Sequence, residues 1–431
     1  MKGPEEQRDE LARLAAHAVD PERVVALARD LVRIRSVFEP GVPGSNEAEA
    51  AEFLAKTLRA SGFRVTVEEA APGRPNVIAD WQGSSFLPTT GRTLMFEGHT
   101  DVVTEGDPDS WSYPPFAGEI VEGRLYGRGS ADMKAGIAAA VAATEAVARA
   151  TPWLNGRIRL GIVADEEGSM LGIKNFIDRG WAKGVDGAII CEPEENELCL
   201  YQKGAMRVGV TFRGVMSHGA MPYSGVNPIP PLAKFVLGVA QIESEEQERV
   251  GEHPFLGRPW FTPTLLRAPR EGEQQLNVVP ETAYLALDIR TVPGQDHDHL
   301  QMRLSQLTER IQAEEESARI EIELIEERPW TETADGEPLV AALERAYRTV
   351  LCVDAKYGGV PGATDGTFLH ARAGIPIVTV GPGDRTIPHQ RDEFVEIEAL
   401  ITAARLYAAA AVEFLLGERD GGPDSSKLEG R

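Results

Sequence analysis

The chain contains little cysteine, fewer basic than acidic residues, and no long apolar run. Its three cysteines, Cys191, Cys199 and Cys352, have the spacing of neither a disulfide framework nor a thiolate metal site. Lysine and arginine total 44 against 67 aspartates and glutamates, which gives a formal net charge of -23. Because proteins that bind nucleic acids present basic patches, this balance argues against a nucleic-acid partner.

No segment is apolar for long enough to predict a membrane span, so we expect no membrane partner. The charged segment Met1–Glu10 lacks the apolar core of a signal peptide. We therefore expect a cytoplasmic protein. At 431 residues the chain is too long for one ordinary hydrophobic core, which predicts two domains.

Histidines or carboxylates follow apolar, strand-like segments at several places. These segments and their polar residues are Leu94–Phe96 with His99 and Asp101, Arg157–Val163 with Glu166 and Glu167, Gly187–Cys191 with Glu192, and Ile375–Val380 with His389. Ligands of an open α/β sheet bind at the carboxyl ends of its strands, so these residues predict one pocket. Carboxylates gathered without a cation would repel one another and stay protonated. The pattern therefore predicts one or two divalent metal ions.

The order and spacing of several motifs resemble the metallopeptidase family that includes succinyl-diaminopimelate desuccinylase, acetylornithine deacetylase, aminoacylase and glutamate carboxypeptidase. The resemblance runs from about Val24 to about Leu416. The motifs that carry it are Gly98–Val103, Gly127–Lys134 with Gly136, Asp165–Gly168, Glu192–Pro193, Ser217–Gly219, Asn277–Pro280, Asp288–Arg290, Gly362–Gly366 and His389. Their combination is highly specific, although no single motif is.

The resemblance implies a centre with two divalent ions, usually zinc. Its five implied ligands are His99 and Glu192 on one ion, Glu167 and His389 on the other, and Asp132 bridging the two. Imidazole and carboxylate ligands suit Zn²⁺ and also admit Co²⁺ or Mn²⁺. Asp101 would lie behind His99 and fix its tautomer.

Glu166 would be the general base that takes a proton from a water shared by the ions, while Glu167 binds metal. We expect Glu166 and Glu167 to have different roles because consecutive side chains on an extended segment point to opposite sides.

Alternating strands and helices predict a mainly parallel, doubly wound sheet with helices on both faces. Between about 207 and 328 the elements follow the βαββαβ order of an inserted ferredoxin-like domain. We expect a catalytic domain formed by 1–206 and 329–416, a lid domain at 207–328, and a disordered tail at 417–431. Segment Glu245–Trp260 is expected to be a loop. The resemblance implies a homodimer formed through the lid.

The resemblance also implies substrate contacts. His218 of the lid would reach the site of the other subunit and stabilise the oxyanion. Asn277 and Arg290 would hold the substrate carboxylate, because the planar guanidinium can bind both oxygens. The further candidates are Gly362, Thr364 and Asp365 on the catalytic side and Lys203 just before the lid.

Together these residues predict a metal-dependent amide hydrolase that removes the acyl group from a small N-acyl amino acid. A dipeptidase or carboxypeptidase with the same centre is the alternative enzyme. A catalytically inactive binding protein on this fold is the alternative from another class, and it would be favoured if a ligand or the base were missing.

Overall fold

The computed structural model describes residues 4–315 and 317–417. Its helices are α1 Pro4–His17, α2 Pro21–Val32, α3 Ala48–Ala60, α4 Ala135–Ala150, α5 Leu171–Asp178, α6 Ile229–Val250, α7 His297–Glu314, α8 Pro338–Leu351, α9 Gly366–Ala373 and α10 Ile397–Leu415. Its strands are β1 Arg64–Ala71, β2 Arg74–Gln82, β3 Arg92–His99, β4 Glu119–Val121, β5 Arg124–Tyr126, β6 Gly156–Val163, β7 Gly187–Ile190, β8 Leu198–Gln202, β9 Gly204–Arg213, β10 Ser217–His218, β11 Trp260–Arg267, β12 Val278–Val279, β13 Thr282–Thr291, β14 Arg319–Arg328, β15 Thr331–Glu332, β16 Tyr357–Val360, β17 Ile377–Thr379 and β18 Phe394–Glu396.

The larger of two compact units takes described residues 4–200, 333–358 and 364–417. Its main sheet contains, in order, β1, β2, β6, β3, β7, β17 and β8. Neighbours among β6, β3, β7 and β17 are parallel, whereas β1, β2 and β8 pair antiparallel. The sheet is therefore mixed, and the prediction of a mainly parallel sheet is correct only for its centre. One reason is that a two-residue turn joins β1 to β2, whereas parallel strands need a long crossover.

Successive side chains of β3 contact different helices. Met95 packs in a cluster with Ile173 and Phe176 of α5. Phe96 contacts Tyr407 of α10, with ring centroids 5.2 Å apart. Because successive strand residues point to opposite faces, helices cover both faces of the sheet at β3. This burial fixes β3 and with it the residues at its carboxyl end.

The smaller unit takes Tyr201–Glu332 and Gly359–Ala363. Its antiparallel sheet has the order β11, β13, β9, β14. Apolar residues of these strands form one core with Phe235 of α6 and Leu304 of α7. Along the chain, the main elements follow the order β9, α6, β11, β13, α7, β14.

Helix α6 continues to Val250, so the predicted loop at Glu245–Trp260 is wrong in its first part. The helix continues there because Glu246 is buried and forms ion pairs with Arg249 and Arg303. Apart from Gly417, the predicted disordered tail lies outside the described residues. Within the part of the chain that the structure describes, every helix is too short or too polar to span a bilayer.

Candidate metal centre

His99 is the last residue of β3 and is buried. Its Nε2 lies 3.1 Å from Oδ1 of Asp132 and 3.5 Å from Oε1 of Glu192. Its Nδ1 lies 2.9 Å from the backbone carbonyl oxygen of Asp101, which can accept a hydrogen bond from it. This contact fixes the ring so that Nε2 faces the two carboxylates.

Asp132 lies between two histidines. While Oδ1 faces His99, Oδ2 lies 3.4 Å from Nε2 of His389. The same Nε2 lies 2.9 Å from Oε1 of Glu167. Two donor sets therefore meet at Asp132: His99 with Glu192, and His389 with Glu167. The five residues expected to bind metal lie together at the carboxyl ends of the strands.

The carboxylate of Asp101 lies behind His99, where it was expected, and it also accepts hydrogen bonds from the turn that carries Glu166 and Glu167, which the sequence did not predict. It lies 3.6 Å from Nδ1 of His99, on the side away from the donor set. Its oxygens accept the backbone N–H groups of Glu166 at 3.2 Å and Glu167 at 3.0 Å. Asp101 thus contacts His99 through its carbonyl group and supports the turn that carries both glutamates.

Glu166 and Glu167 lie in a turn after β6. Asp165 has a left-handed φ of 70°, and its Oδ2 accepts the N–H groups of Ser169 and Leu171 at 3.0 and 3.2 Å. The side chains of Glu166 and Glu167 point in different directions because both residues lie in this turn. The predicted cause, alternation of side chains along an extended segment, is therefore wrong. Glu166 lies close to His99 and Glu192, whereas Glu167 contacts His389.

The electrostatics of the cluster fit a divalent cation. Burial, reinforced by the charge of Asp132, raises the pKa of Glu192 to about 7. Burial raises the pKa of Glu166 well above its usual value. Hydrogen bonds to Asp132 and Glu167 raise the pKa of His389 to about 10. A bound cation would relieve this accumulation of protons by stabilising the carboxylates and the neutral imidazoles. The imidazole and carboxylate donors suit zinc, cobalt or manganese.

Two more buried carboxyl groups belong to the cluster. Asp365 was predicted to line the pocket; burial and the charge of Glu97 raise its pKa well above the usual value. Burial and the charge of Glu192 raise the pKa of Glu97 in the same direction. Sequence reasoning missed Glu97, although its place two residues before His99 on β3 puts both on one face. Thr364 is buried beside Asp365, and its Oγ1 accepts the N–H of Gly366 at 3.2 Å.

Sequence reasoning also missed arginine–carboxylate contacts around the centre. They join Arg74 to Glu47 and Asp165, Arg128 to Glu393, and Arg385 to Glu194, Glu195 and Glu197. The only available signal was the position of Arg128 inside the motif that contains Asp132.

The expected substrate-contacting residues of the lid lie in the smaller unit. Exposed His218 of β10 pairs with Val278 of β12, and the N–H of Gly219 donates to the carbonyl oxygen of Asn277 at 2.7 Å. His218 and Asn277 are therefore on neighbouring segments.

Arg290 forms a two-point ion pair with Asp288, at 2.6 and 3.2 Å. Lys203 Nζ donates to the carbonyl oxygen of Arg258 at 2.7 Å, and burial together with the charge of Arg290 lowers the pKa of Lys203. Gly362 belongs to the same unit, so its expected place on the catalytic side was wrong.

Comparisons with known proteins agree with these observations. A model of peptidase family M20/M25/M40 matches residues 95–413. A succinyl-diaminopimelate desuccinylase of Cereibacter sphaeroides is 31% identical over 406 residues, which cover 90% of this chain and 97% of that protein. Human carnosine dipeptidase 1 has a similar fold, with a TM-score of 0.71, 18% identity, and coverage of 94% of this chain and 99% of that chain.

A dinuclear metal-binding peptidase of Bacillus subtilis also has a similar fold, with a TM-score of 0.68 and 17% identity over 92% of this chain and 98% of that chain. The resemblance stated from the motifs is confirmed by the matching family model.

Proposed function

This chain belongs to peptidase family M20/M25/M40 and is a metal-dependent amide hydrolase, and we propose that it deacylates a small N-acyl amino acid. The similarity to a desuccinylase supports deacylation. The observation that carries the proposed two-ion centre of this hydrolase is the position of Asp132, whose two oxygens lie 3.1 Å from His99 Nε2 and 3.4 Å from His389 Nε2. A carboxylate between two imidazoles is suited to bridge a pair of ions.

In the proposed centre, two divalent ions, with Zn²⁺ as the first choice, are bound by the five ligands that meet at Asp132. His99 and Glu192 hold one ion, Glu167 and His389 hold the other, and Asp132 contacts both. When bound, such ions polarise the scissile carbonyl and lower the pKa of a water molecule.

Glu166 is the proposed general base. Its carboxyl group reaches the donor set of His99 and Glu192, and burial raises its pKa. A carboxylate with a raised pKa can take a proton from the attacking water and pass it to the leaving amine. Asp101 keeps Glu166 in place by accepting its backbone N–H.

We assign the smaller unit the role of a ferredoxin-like lid that binds the substrate. His218 would stabilise the oxyanion, and Asn277 and Arg290 would hold the substrate carboxylate. Because Arg290 is paired with Asp288, the guanidinium would bind substrate with Asp288 as its support. The remaining proposed pocket residues are Gly362, Thr364, Asp365 and Lys203.

We further propose a cytoplasmic homodimer formed through the lid. Strand β11 lies at the edge of its sheet and carries the exposed apolar residues Trp260, Leu265 and Leu266. An exposed apolar edge strand is a template for pairing with another chain, and a second copy presents the same edge.

The decisive experiment compares N-acetyl amino acids, N-succinyl amino acids and dipeptides as substrates of one metal-loaded preparation. We expect the highest kcat/KM with an N-acyl amino acid, and two ions per chain by elemental analysis. Faster turnover of dipeptides would replace the deacylase proposal with the peptidase alternative. A preparation with two ions and no turnover of any substrate would support the inactive binding protein.

A further inference from the structure

The pairing of β18 with β5 brings Glu393 beside the turn that leads to Asp132. Phe394 pairs with Tyr126 in this ladder, and the N–H of Gly127 donates to the carbonyl oxygen of Glu393 at 2.9 Å. The side chain of Glu393 is fully buried. A buried carboxylate needs strong partners, and the following turn supplies them.

Glu393 and Arg128 form a connected network. Oε1 of Glu393 accepts two successive backbone N–H groups, from Ala131 at 3.0 Å and Asp132 at 3.1 Å. Oε2 accepts a hydrogen bond from Nη1 of Arg128, and Nη2 of Arg128 donates to the carbonyl oxygen of His389 at 3.3 Å. The pair therefore joins the backbone of the proposed bridging ligand to that of a ligand in the second donor set.

Neither of these ligands lies in a regular element that would fix its backbone. Asp132 has φ −114° and ψ 97° inside an irregular turn, and His389 has a left-handed φ of 67°. His99, by contrast, ends the central strand β3. The positions of Asp132 and His389 therefore depend on contacts such as those of Arg128 and Glu393.

We propose that Arg128 and Glu393 are positioning residues that set the placement of Asp132 relative to His389 and so hold the second ion. This inference rests on the proposed function, which supplies the two ions. The ion at Glu167 and His389 depends on both irregular segments, whereas the other ion has His99 as a fixed anchor. Weakening the contact between Arg128 and Glu393 should therefore lower the affinity for the second ion more than that for the first, because supporting contacts orient metal ligands.

The test uses Arg128→Lys and Glu393→Gln in the full chain. Lysine keeps the charge, but a single ammonium lacks the fork that reaches both the carboxylate and the carbonyl oxygen. Metal-free protein is titrated with Zn²⁺ by calorimetry, and bound ions are counted by elemental analysis. We expect the second ion to bind about 10- to 100-fold more weakly than in the unmodified chain and the first ion, which shares Asp132 but is anchored by His99, to lose clearly less affinity.

A matched control comes from the same pair of strands. Arg124 of β5 and Glu396 of β18 form an ion pair at 3.3 Å, but their side chains are 43% and 59% exposed. Arg124→Lys and Glu396→Gln should leave the binding of both ions unchanged. Excess Zn²⁺ should restore much of the kcat of Arg128→Lys. Because Zn²⁺ also stabilises the folded state, circular dichroism and the urea midpoint of the metal-free variant are compared with those of the unmodified chain, and similar values exclude a general loss of folding.

Two results would overturn the positioning role. One is unchanged affinity for both ions in folded Arg128→Lys; the other is an equal loss of both ions. If Glu393→Gln does not fold, the conservative Arg128→Lys still decides the question. An unmodified chain that binds fewer than two ions would contradict the proposed function itself, so the two failures are distinguishable.

Discussion

Replacing Arg74 by methionine should destabilise the larger unit strongly. Both oxygens of Glu47 lie 3.0 Å from Nε of Arg74, and Nη1 contacts Asp165. The side chains of Arg74, Glu47 and Asp165 are only 6%, 0% and 5% exposed. The guanidinium also lies 3.7 Å from the centre of the Phe38 ring. Arg74→Met keeps much of the volume but leaves two buried carboxylates without their cation.

The expected loss is large because the charges cannot be rehydrated. Removing one partner of a buried ion pair costs about 3–5 kcal/mol, and the lost contact with Phe38 adds about 0.5–1 kcal/mol. Arg64→Met is a matched control on neighbouring strand β1: Arg64 pairs with Asp80 at 2.9 Å, but its side chain is 73% exposed. A pair of that kind contributes about 0–1 kcal/mol.

The loss of unfolding free energy in Arg74→Met, called the deficit below, should also depend on pH. Burial raises the pKa of Glu47 above its usual value of 4.5, and the hydrogen bond from Arg74 opposes this rise. Without Arg74 the pKa of Glu47 rises further. A carboxyl group whose pKa is higher in the folded than in the unfolded protein lowers stability as pH rises. The loss begins at the pKa of the unfolded state and is complete above the pKa of the folded state. The deficit should therefore be larger at pH 7 than at pH 5 and shrink as pH falls towards 4.5.

Urea unfolding followed by circular dichroism at pH 7 and pH 5 measures both effects. Hydrogen exchange gives a local readout, because the N–H groups of Ser169 and Leu171 donate to Asp165 and should exchange faster in Arg74→Met. A deficit below about 1 kcal/mol, no larger than that of Arg64→Met, would refute the reasoning. A deficit that is equal at both pH values would refute the role given to Glu47.

Further expectations concern the proposed chemistry and the metal-free state. Glu166→Gln should keep both ions by elemental analysis and lose about 10²–10⁴-fold in kcat, and near-normal turnover would remove the base assignment. His218→Ala should lower kcat by about 10²–10³-fold at similar metal content, and an unchanged kcat would exclude an oxyanion role. In metal-free protein, the pKa of Glu192 is raised to about 7 and that of His389 to about 10. The shift of Glu192 makes stability fall as pH rises from about 4.5 to about 7, and the shift of His389 makes it fall from about 6.5 to about 10. Urea midpoints should therefore decrease from pH 5 to pH 8 and recover with Zn²⁺; midpoints that rise would contradict this.

The positions of His99 and Glu192 could be predicted because their signals are local, whereas Asp132 entered the expected ligand set only through the family resemblance. An apolar segment followed by a histidine or carboxylate marks the end of a buried strand, and His99 follows Leu94–Phe96 in this way. The geometry of Glu166 and Glu167 could not be predicted from the same signal. It depends on the left-handed conformation of Asp165 and on backbone contacts with Asp101, which is distant in sequence.

The direction of the sheet strands was only partly predictable for a related reason. Strands β3, β7 and β17 are parallel, but β1 and β2 form a hairpin around Gly73, whose φ is 74°. The dipeptide Pro72-Gly73 between two strand-like segments is a turn signal, and giving it more weight would have predicted this antiparallel pair.

The arginine pairs show why ligand identity and ligand position are encoded differently. Arg128 is 265 residues from Glu393, and Arg74 is 91 residues from Asp165. Segments at strand ends lose the hydrogen bonds of the ladder, so their backbone must be fixed by groups that folding brings from elsewhere. Buried arginines can do this because one guanidinium donates to several acceptors in fixed directions. A change at Arg128 or Arg74 would therefore leave every proposed ligand present and still alter the distances between them.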